Sequence, residues 1–133
     1  MGSLALDASV AIALFTEADT HHDRALVELD AALDRDEVLS MAASAYSEIM
    51  VHAARSGQGE LIDRFVDRLR MEVVPVDREI GRRAAELGAK WRSLRLPDAL
   101  VLATAQTRRA SLLSFDTELA RLARELDLAS SQS

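Results

Sequence analysis

The run Leu96-Pro97-Asp98-Ala99-Leu100-Val101-Leu102-Ala103-Thr104-Ala105 decides how the rest of this chain is read. Pro97 is placed to open a helix, because the N–H it lacks is one that a first helical turn leaves unbonded anyway. From Ala99 to Ala103 every residue is apolar, so a helix from Asp98 to Arg109 has no polar face in its first half. Such a helix belongs in the middle of a fold, covered on all sides. The chain around it supplies the cover. Four short, largely apolar runs alternate with segments of helical periodicity: Leu4-Ala5-Leu6, Val38-Leu39-Ser40-Met41, Val73-Val74-Pro75-Val76 and Ser111-Leu112-Leu113-Ser114. Only the third is rich in β-branched residues. The other three read as strands from their context, because buried parallel strands are short, nearly all apolar and set between helices.

The helical segments are clearer. Between Thr20 and Arg35, Leu26, Leu29 and Leu33 recur at spacings of three and four. From Ser44 to Arg55, Ile49, Met50, Ala53 and Ala54 form a stripe, and Gly57-Gln58-Gly59 breaks the chain after it. A helix from Gln58 to Arg70 carries Leu61, Ile62, Phe65, Val66 and Leu69; one from Asp77 to Leu94 carries Ile80, Ala84, Leu87, Trp91 and Leu94. A last helix spans Thr117 to Leu126. With a first helix after Asp7, the order is β-α-α-β-α-α-β-α-α-β-α. That alternation predicts an α/β fold of three α/β/α layers around a short, mainly parallel sheet of four strands. Right-handed crossovers set the carboxyl ends of parallel strands along one edge, where ligands bind in sheets of this kind. A single domain over residues 1–133 is expected, ending in a polar tail, Ser130-Ser131-Gln132-Ser133.

Composition excludes several chemistries. With no cysteine, thiolate zinc sites, iron–sulfur clusters, disulfides and cysteine nucleophiles are ruled out. No His-x-x-x-His spacing suggests a zinc enzyme. No apolar run reaches membrane-spanning length, and no basic stretch precedes an apolar one at the N-terminus, so a cytoplasmic protein is expected. The net charge of −6, from 22 acids and 16 bases, argues against a nonspecific nucleic-acid binder. It does not argue against a nuclease, whose metal chemistry needs clustered acids, so the positions of the acids decide.

Asp7 directly follows the first strand and Asp116 lies just past the fourth. Glu48 stands in the first turn or so of the helix after the second strand, and Asp98 opens the buried helix. Strand ends and the starts of following helices share one edge of a parallel sheet, so Asp7, Glu48 and Asp116 converge there. Asp98 joins them if its helix starts at the same edge. Each Asp also suits a helix N-cap. The combination favours a shared site, since four close carboxylates repel and call for a cation or a raised pKa. Mg²⁺ or Mn²⁺ is the natural counter-ion for an all-oxygen donor set. Ser9 and Ser114, each two residues from an acid, could hold a carboxylate or a metal-bound water; their structural alternatives are a helix cap and a strand end. Among the arginines, Arg82-Arg83, Arg92 with Arg95, and Arg108-Arg109 are the candidates for contact with a substrate phosphate, Arg95 first because it lies nearest Asp98. Aromatics make up 4% of the chain, too few for an extended base-stacking platform. His21 and His22 read as surface residues, and His52 as a surface or rim residue.

Four pieces in order, Leu4-Ala5-Leu6-Asp7-Ala8-Ser9-Val10, Ser47-Glu48, Leu96 to Ala105, and Leu113-Ser114-Phe115-Asp116, resemble the PIN domain, and most of all the VapC toxins of bacterial toxin–antitoxin pairs. The resemblance spans about residues 3 to 126. It implies a small Mg²⁺- or Mn²⁺-dependent ribonuclease acting on RNA, a homodimer, and a cognate antitoxin that blocks it. It also implies that Asp7, Glu48, Asp98 and Asp116 are the four acids of the site, with Ser9 and Ser114 as supporting hydroxyls. Two departures stand out. Few residues follow Leu126 where the family adds a short strand, so a fifth strand stays open. Phe115 replaces the small or polar residue often found before the last Asp. Two other readings of the acids are a phosphatase or receiver and a PIN-like module without catalysis. Against the first, Asp7-Ala8-Ser9 lacks the usual Asp-x-Asp, and the only lysine, Lys90, lies within a helix. Against the second, no acid of the set is missing.

Overall fold

The computed structural model describes residues 2–129, so the Ser130–Ser133 tail lies outside the described residues. The elements are β1 (Ser3–Leu6), α1 (Ala8–Phe15), α2 (His22–Asp34), β2 (Val38–Ala42), α3 (Ala43–Ser56), α4 (Gly59–Arg68), β3 (Glu72–Val74), α5 (Arg78–Lys90), α6 (Leu96–Arg108), β4 (Ser111–Leu113) and α7 (Thr117–Glu125). All strand pairings are parallel, in the order β3-β2-β1-β4, and helices cover the sheet to give three layers. The α/β class and the element order agree with the sequence reading.

The strand order is what makes a site. From β1 the chain steps to β2 and on to β3, then crosses back to set β4 on the other flank of β1. Connections thus diverge between β1 and β4, and ligands of open parallel sheets bind outside the carboxyl ends at such a point. The β1–β4 register pairs Leu6 with Leu113, and the Asp7 N–H continues the ladder by donating to the Leu113 carbonyl at 3.0 Å. The residues just beyond, Asp7 on one strand and Ser114 to Asp116 on the other, are therefore brought side by side.

The α6 helix is central as its composition requires. Ala99, Val101, Leu102, Ala103, Thr104 and Ala105 are buried, and the Thr104 hydroxyl is satisfied by donating to the Leu100 carbonyl at 2.7 Å. Gly57 ends α3 at φ 72°, a left-handed conformation that glycine adopts without the steric cost other residues carry.

Boundaries differ from the sequence reading where a local rule competes with the apolar pattern. The third strand is Glu72–Val74 rather than Val73–Val76, because Pro75 has no N–H for a ladder. The α5 helix stops at Lys90 rather than Leu94; Trp91 is extended, and the Leu94 N–H closes a turn on the Trp91 carbonyl. Trp91 and Leu94 still pack on the core, so their apolar spacing carries past the helix end into the turn that leads to α6. Among the described residues, a parallel bridge between Ala129 and Leu112 stands where the sequence leaves a fifth strand open. Among the described residues, no helix is long and apolar enough to cross a membrane.

One charged group is buried without full compensation. Glu28 on α2 is 6% exposed, Arg24 Nε lies 3.8 Å from its Oε1, and among the described residues Oε2 has no hydrogen-bond partner. Burial pushes the Glu28 carboxyl above the ordinary range, with Arg24 and Arg35 pulling the other way. A raised folded-state pKa means the folded protein holds this proton more tightly than the unfolded chain, so stability falls as pH rises through that value. Glu28→Met should therefore raise the melting temperature near neutral pH and do so less at about pH 4, where wild-type Glu28 is already largely protonated. Equal shifts at both pH values in a thermal-denaturation series would contradict this account.

Candidate active site

Asp7 is the hub of the β1–β4 edge. It is 7% exposed, and its Oδ2 accepts from Ser9 Oγ at 2.9 Å and from Ser114 Oγ at 2.8 Å. Each hydroxyl in turn accepts from a backbone N–H, Ser9 from Phe115 at 3.0 Å and Ser114 from Asp116 at 3.1 Å. A hydroxyl has one proton. Because both backbone groups can only donate, that proton points at Asp7 in each case, and Oδ2 is held as a double acceptor. Both serines thus act on the carboxylate. Ser9 is not the cap of the first helix, since Asp7 occupies that position, and Asp7 makes no capping hydrogen bond with its side chain.

The other acids reach the same place from separate elements. Asp116 caps α7, its Oδ1 accepting from the Leu119 N–H at 3.0 Å. The cap reading therefore holds for Asp116 without removing it from the site. Asp98 is no cap, since Arg95 is the N-cap residue of α6. It lies within the first turn, at the end of α6 that meets this edge. Glu48 is in the second turn of α3, slightly further along than the sequence suggested. Glu48, Arg95, Pro97, Asp98 and Asp116 line one open cleft of about 470 Å³. Arg92, the second arginine candidate, is exposed and not among its lining residues.

The electrostatics report the crowding. Burial raises the Glu48 carboxyl above its ordinary value, and the charges of Asp7 and Asp98 raise it further. Asp98 is raised by burial and then by Asp7 and Asp116. Arg95 opposes both shifts, which places its guanidinium within electrostatic reach of the cluster. The donor set is all carboxylate and suits a hard divalent cation. Among the described residues, no three His, Asp or Glu side chains are arranged to hold an ion by themselves. An ion bound here would need waters or substrate oxygens to complete its shell, which is how Mg²⁺ is usually held.

The two histidines read as surface residues are both engaged. His22 Nδ1 lies 2.7 Å from the Ala13 carbonyl, tying α2 to α1. The His21 ring stacks on Phe115, next to Asp116. No periodicity marks that pairing, because the two residues are 94 positions apart in the chain; only the adjacency of Phe115 to an acid hinted at it.

Two substitutions should move stability in opposite directions. Ser114→Ala removes a buried hydrogen bond to a carboxylate and should cost about 1.5–3 kcal/mol. Asp98→Asn removes one of four mutually repelling charges and should raise the melting temperature of the metal-free protein. Denaturant titration and thermal melts in EDTA check both; a destabilised Asp98→Asn would mean that repulsion is not the dominant effect there.

No curated protein sequence matches the chain. Among solved structures it is similar to a toxin–antitoxin complex from Klebsiella pneumoniae, with a TM-score of 0.75 and 25% identity over 87% of this chain and 88% of that one. It is also similar to VapC20 of Mycobacterium tuberculosis, described as a Sarcin-Ricin loop cleaving toxin (TM-score 0.71, 16% identity, 90% and 95% covered). FitAcB of Neisseria gonorrhoeae gives a TM-score of 0.72 at 16% identity, with 95% and 94% covered. The family model for the PIN domain matches residues 4–125, a span that includes every acid of the cleft, and the chain belongs to the PIN domain family.

Proposed function

We propose that this chain is a Mg²⁺- or Mn²⁺-dependent endoribonuclease and the toxin of a VapBC-type toxin–antitoxin pair. The observation that supports this reading is one cleft lined by Glu48, Asp98 and Asp116, with Asp7, whose charge acts on Glu48 and Asp98, locked as an acceptor by two hydroxyls. Asp7, Glu48 and Asp98 would hold one ion, directly or through waters, and Asp116 would complete the site. When bound, a divalent ion supplies charge neutralisation at the phosphate and lowers the pKa of a water.

The remaining work belongs to the chain's own groups. Ser9 and Ser114 fix the orientation of Asp7, so that it needs no rearrangement when the site fills. Arg95 lines the cleft and offers a planar pair of donors to a phosphate. A carboxylate of the cluster accepts the proton of the attacking water as its oxygen bonds to phosphorus and the P–O bond to the leaving oxygen breaks. RNA as substrate is supported by the VapC20 neighbour, described as a toxin that cleaves the Sarcin-Ricin loop. A cognate antitoxin as partner is supported by the Klebsiella pneumoniae neighbour, described as a toxin–antitoxin complex. A homodimer belongs to the same reading. Leu61 on α4 is 47% exposed, and with Phe15, Phe65, Arg64 and Arg68 it lines a hollow that a second copy could cover.

The purified protein should cut single-stranded RNA with Mg²⁺ or Mn²⁺ present, and EDTA should stop it. Asp7→Asn should fall to background while its circular dichroism spectrum stays that of the wild type. Cleavage by Asp7→Asn at the wild-type rate, or undiminished cleavage in EDTA, would overturn the assignment.

A further inference from the structure

Phe115 is the residue at this edge that the metal chemistry does not use. Its neighbours in the structure are unlike those of the other phenylalanines. Phe15 and Phe65 pack edge to face with centroids 4.8 Å apart. Phe115 is half-buried beside the acids, and its N–H donates to Ser9 Oγ, which itself donates to Asp7. The His21 ring lies nearly parallel to it, with centroids 4.8 Å apart and an interplanar angle of 16°. The Arg24 guanidinium carbon is 5.0 Å from the Phe115 ring centroid, within cation–π range.

Each of these groups is held in place from behind. Asp19 accepts from the His21 backbone N–H at 2.8 Å and lies 3.6 Å from its Nδ1. His22 anchors the same turn to α1. Arg24 is paired with buried Glu28. Despite this support, the side chains of His21 and Arg24 remain 45% and 48% exposed. A supported, half-exposed aromatic pair with an adjacent cation combines the two things that single-stranded nucleic acid binds, a stacking face and positive charge. It also lies directly beside Asp116, on an edge otherwise dominated by negative charge.

We propose that His21, Phe115 and Arg24 form a stacking subsite for one nucleobase of single-stranded RNA next to the phosphate that is cut. The base stacks on the face of the His21 ring turned away from Phe115, and Arg24 meets a neighbouring phosphate. This rests on the ribonuclease reading above and deepens it. Too few aromatics for an extended platform still leave enough for one base, and a single stacked base beside the scissile bond biases where the enzyme cuts.

The test compares wild type, His21→Ala, His21→Phe and Arg24→Ala. Binding is read by quenching of 2-aminopurine in short single-stranded RNAs, with Ca²⁺ in place of Mg²⁺. Cut positions are read by sequencing the RNA ends formed with Mg²⁺. His21→Ala should weaken binding about tenfold, the scale of one lost base stack, and should flatten base preference next to the cut. His21→Phe, which keeps a stacking ring, should restore both. Arg24→Ala should weaken binding and reduce its salt dependence. If His21→Ala lowers the melting temperature but leaves RNA affinity and cut positions unchanged, the stack is only an internal clamp and the subsite is overturned. Wild type that neither binds nor cuts RNA overturns the ribonuclease reading itself, and this inference with it.

Discussion

The active edge depends on a buried carboxylate whose hydrogen-bond direction is fixed by protons with nowhere else to go. Ser9 and Ser114 each receive a backbone N–H and must therefore donate to Asp7. Those N–H groups belong to Phe115 and Asp116, in the turn between β4 and α7. The network thus does two things at once. It orients Asp7, and it pins the β4–α7 turn against the end of β1, which brings Asp116 into the cleft. Loss of either hydroxyl would loosen both the acid and the turn that presents its partner.

Around this fixed point the protein gathers more negative charge than it can neutralise itself. Burial and neighbouring acids push the Glu48 and Asp98 carboxyls upward, and Arg95 offsets only part of it. Groups arranged for a task commonly cost the fold some stability. The overall charge of −6 takes on a local meaning here. Part of that excess lies in one cleft, and a divalent ion there would offset the repulsion between its acids.

How much of this could be read from the sequence follows from which physical signals are local. The apolar run in α6, the alternation of strands and helices, and the acids at their junctions are local, and all of them survive in the structure. The convergence of Asp7 with Asp116 follows from topology once the sheet is taken as parallel. The position of Asp98 needed the three-dimensional turn at residues 91–95, because Trp91 and Leu94 keep a helical spacing after the helix has ended. The roles of Ser9 and Ser114 were open for a similar reason. A serine near a helix start caps in most settings, and only the Phe115 N–H, more than 100 residues from Ser9, turns its hydroxyl toward Asp7. His21 was unreadable because stacking across distant segments leaves no period.

The similarity to solved structures is consistent with this division between local and distant signals. Folds with TM-scores of 0.71 to 0.75 are reached at only 16 to 25% identity. Apolar core positions tolerate exchange as long as volume and pattern are kept, so identity can fall far while the sheet and its central helix persist. The strand ends have less freedom, because a buried acid and its hydroxyl donors must change together or leave an unpaired group. His21 and Phe115 stand between these two cases. The Phe115 side chain packs partly against the core, its N–H, which any residue but proline could supply, serves the acid network, and the His21 ring stacks on it with 45% of its side chain exposed. Neither side chain donates to Asp7, so the acid network can stand when either is exchanged.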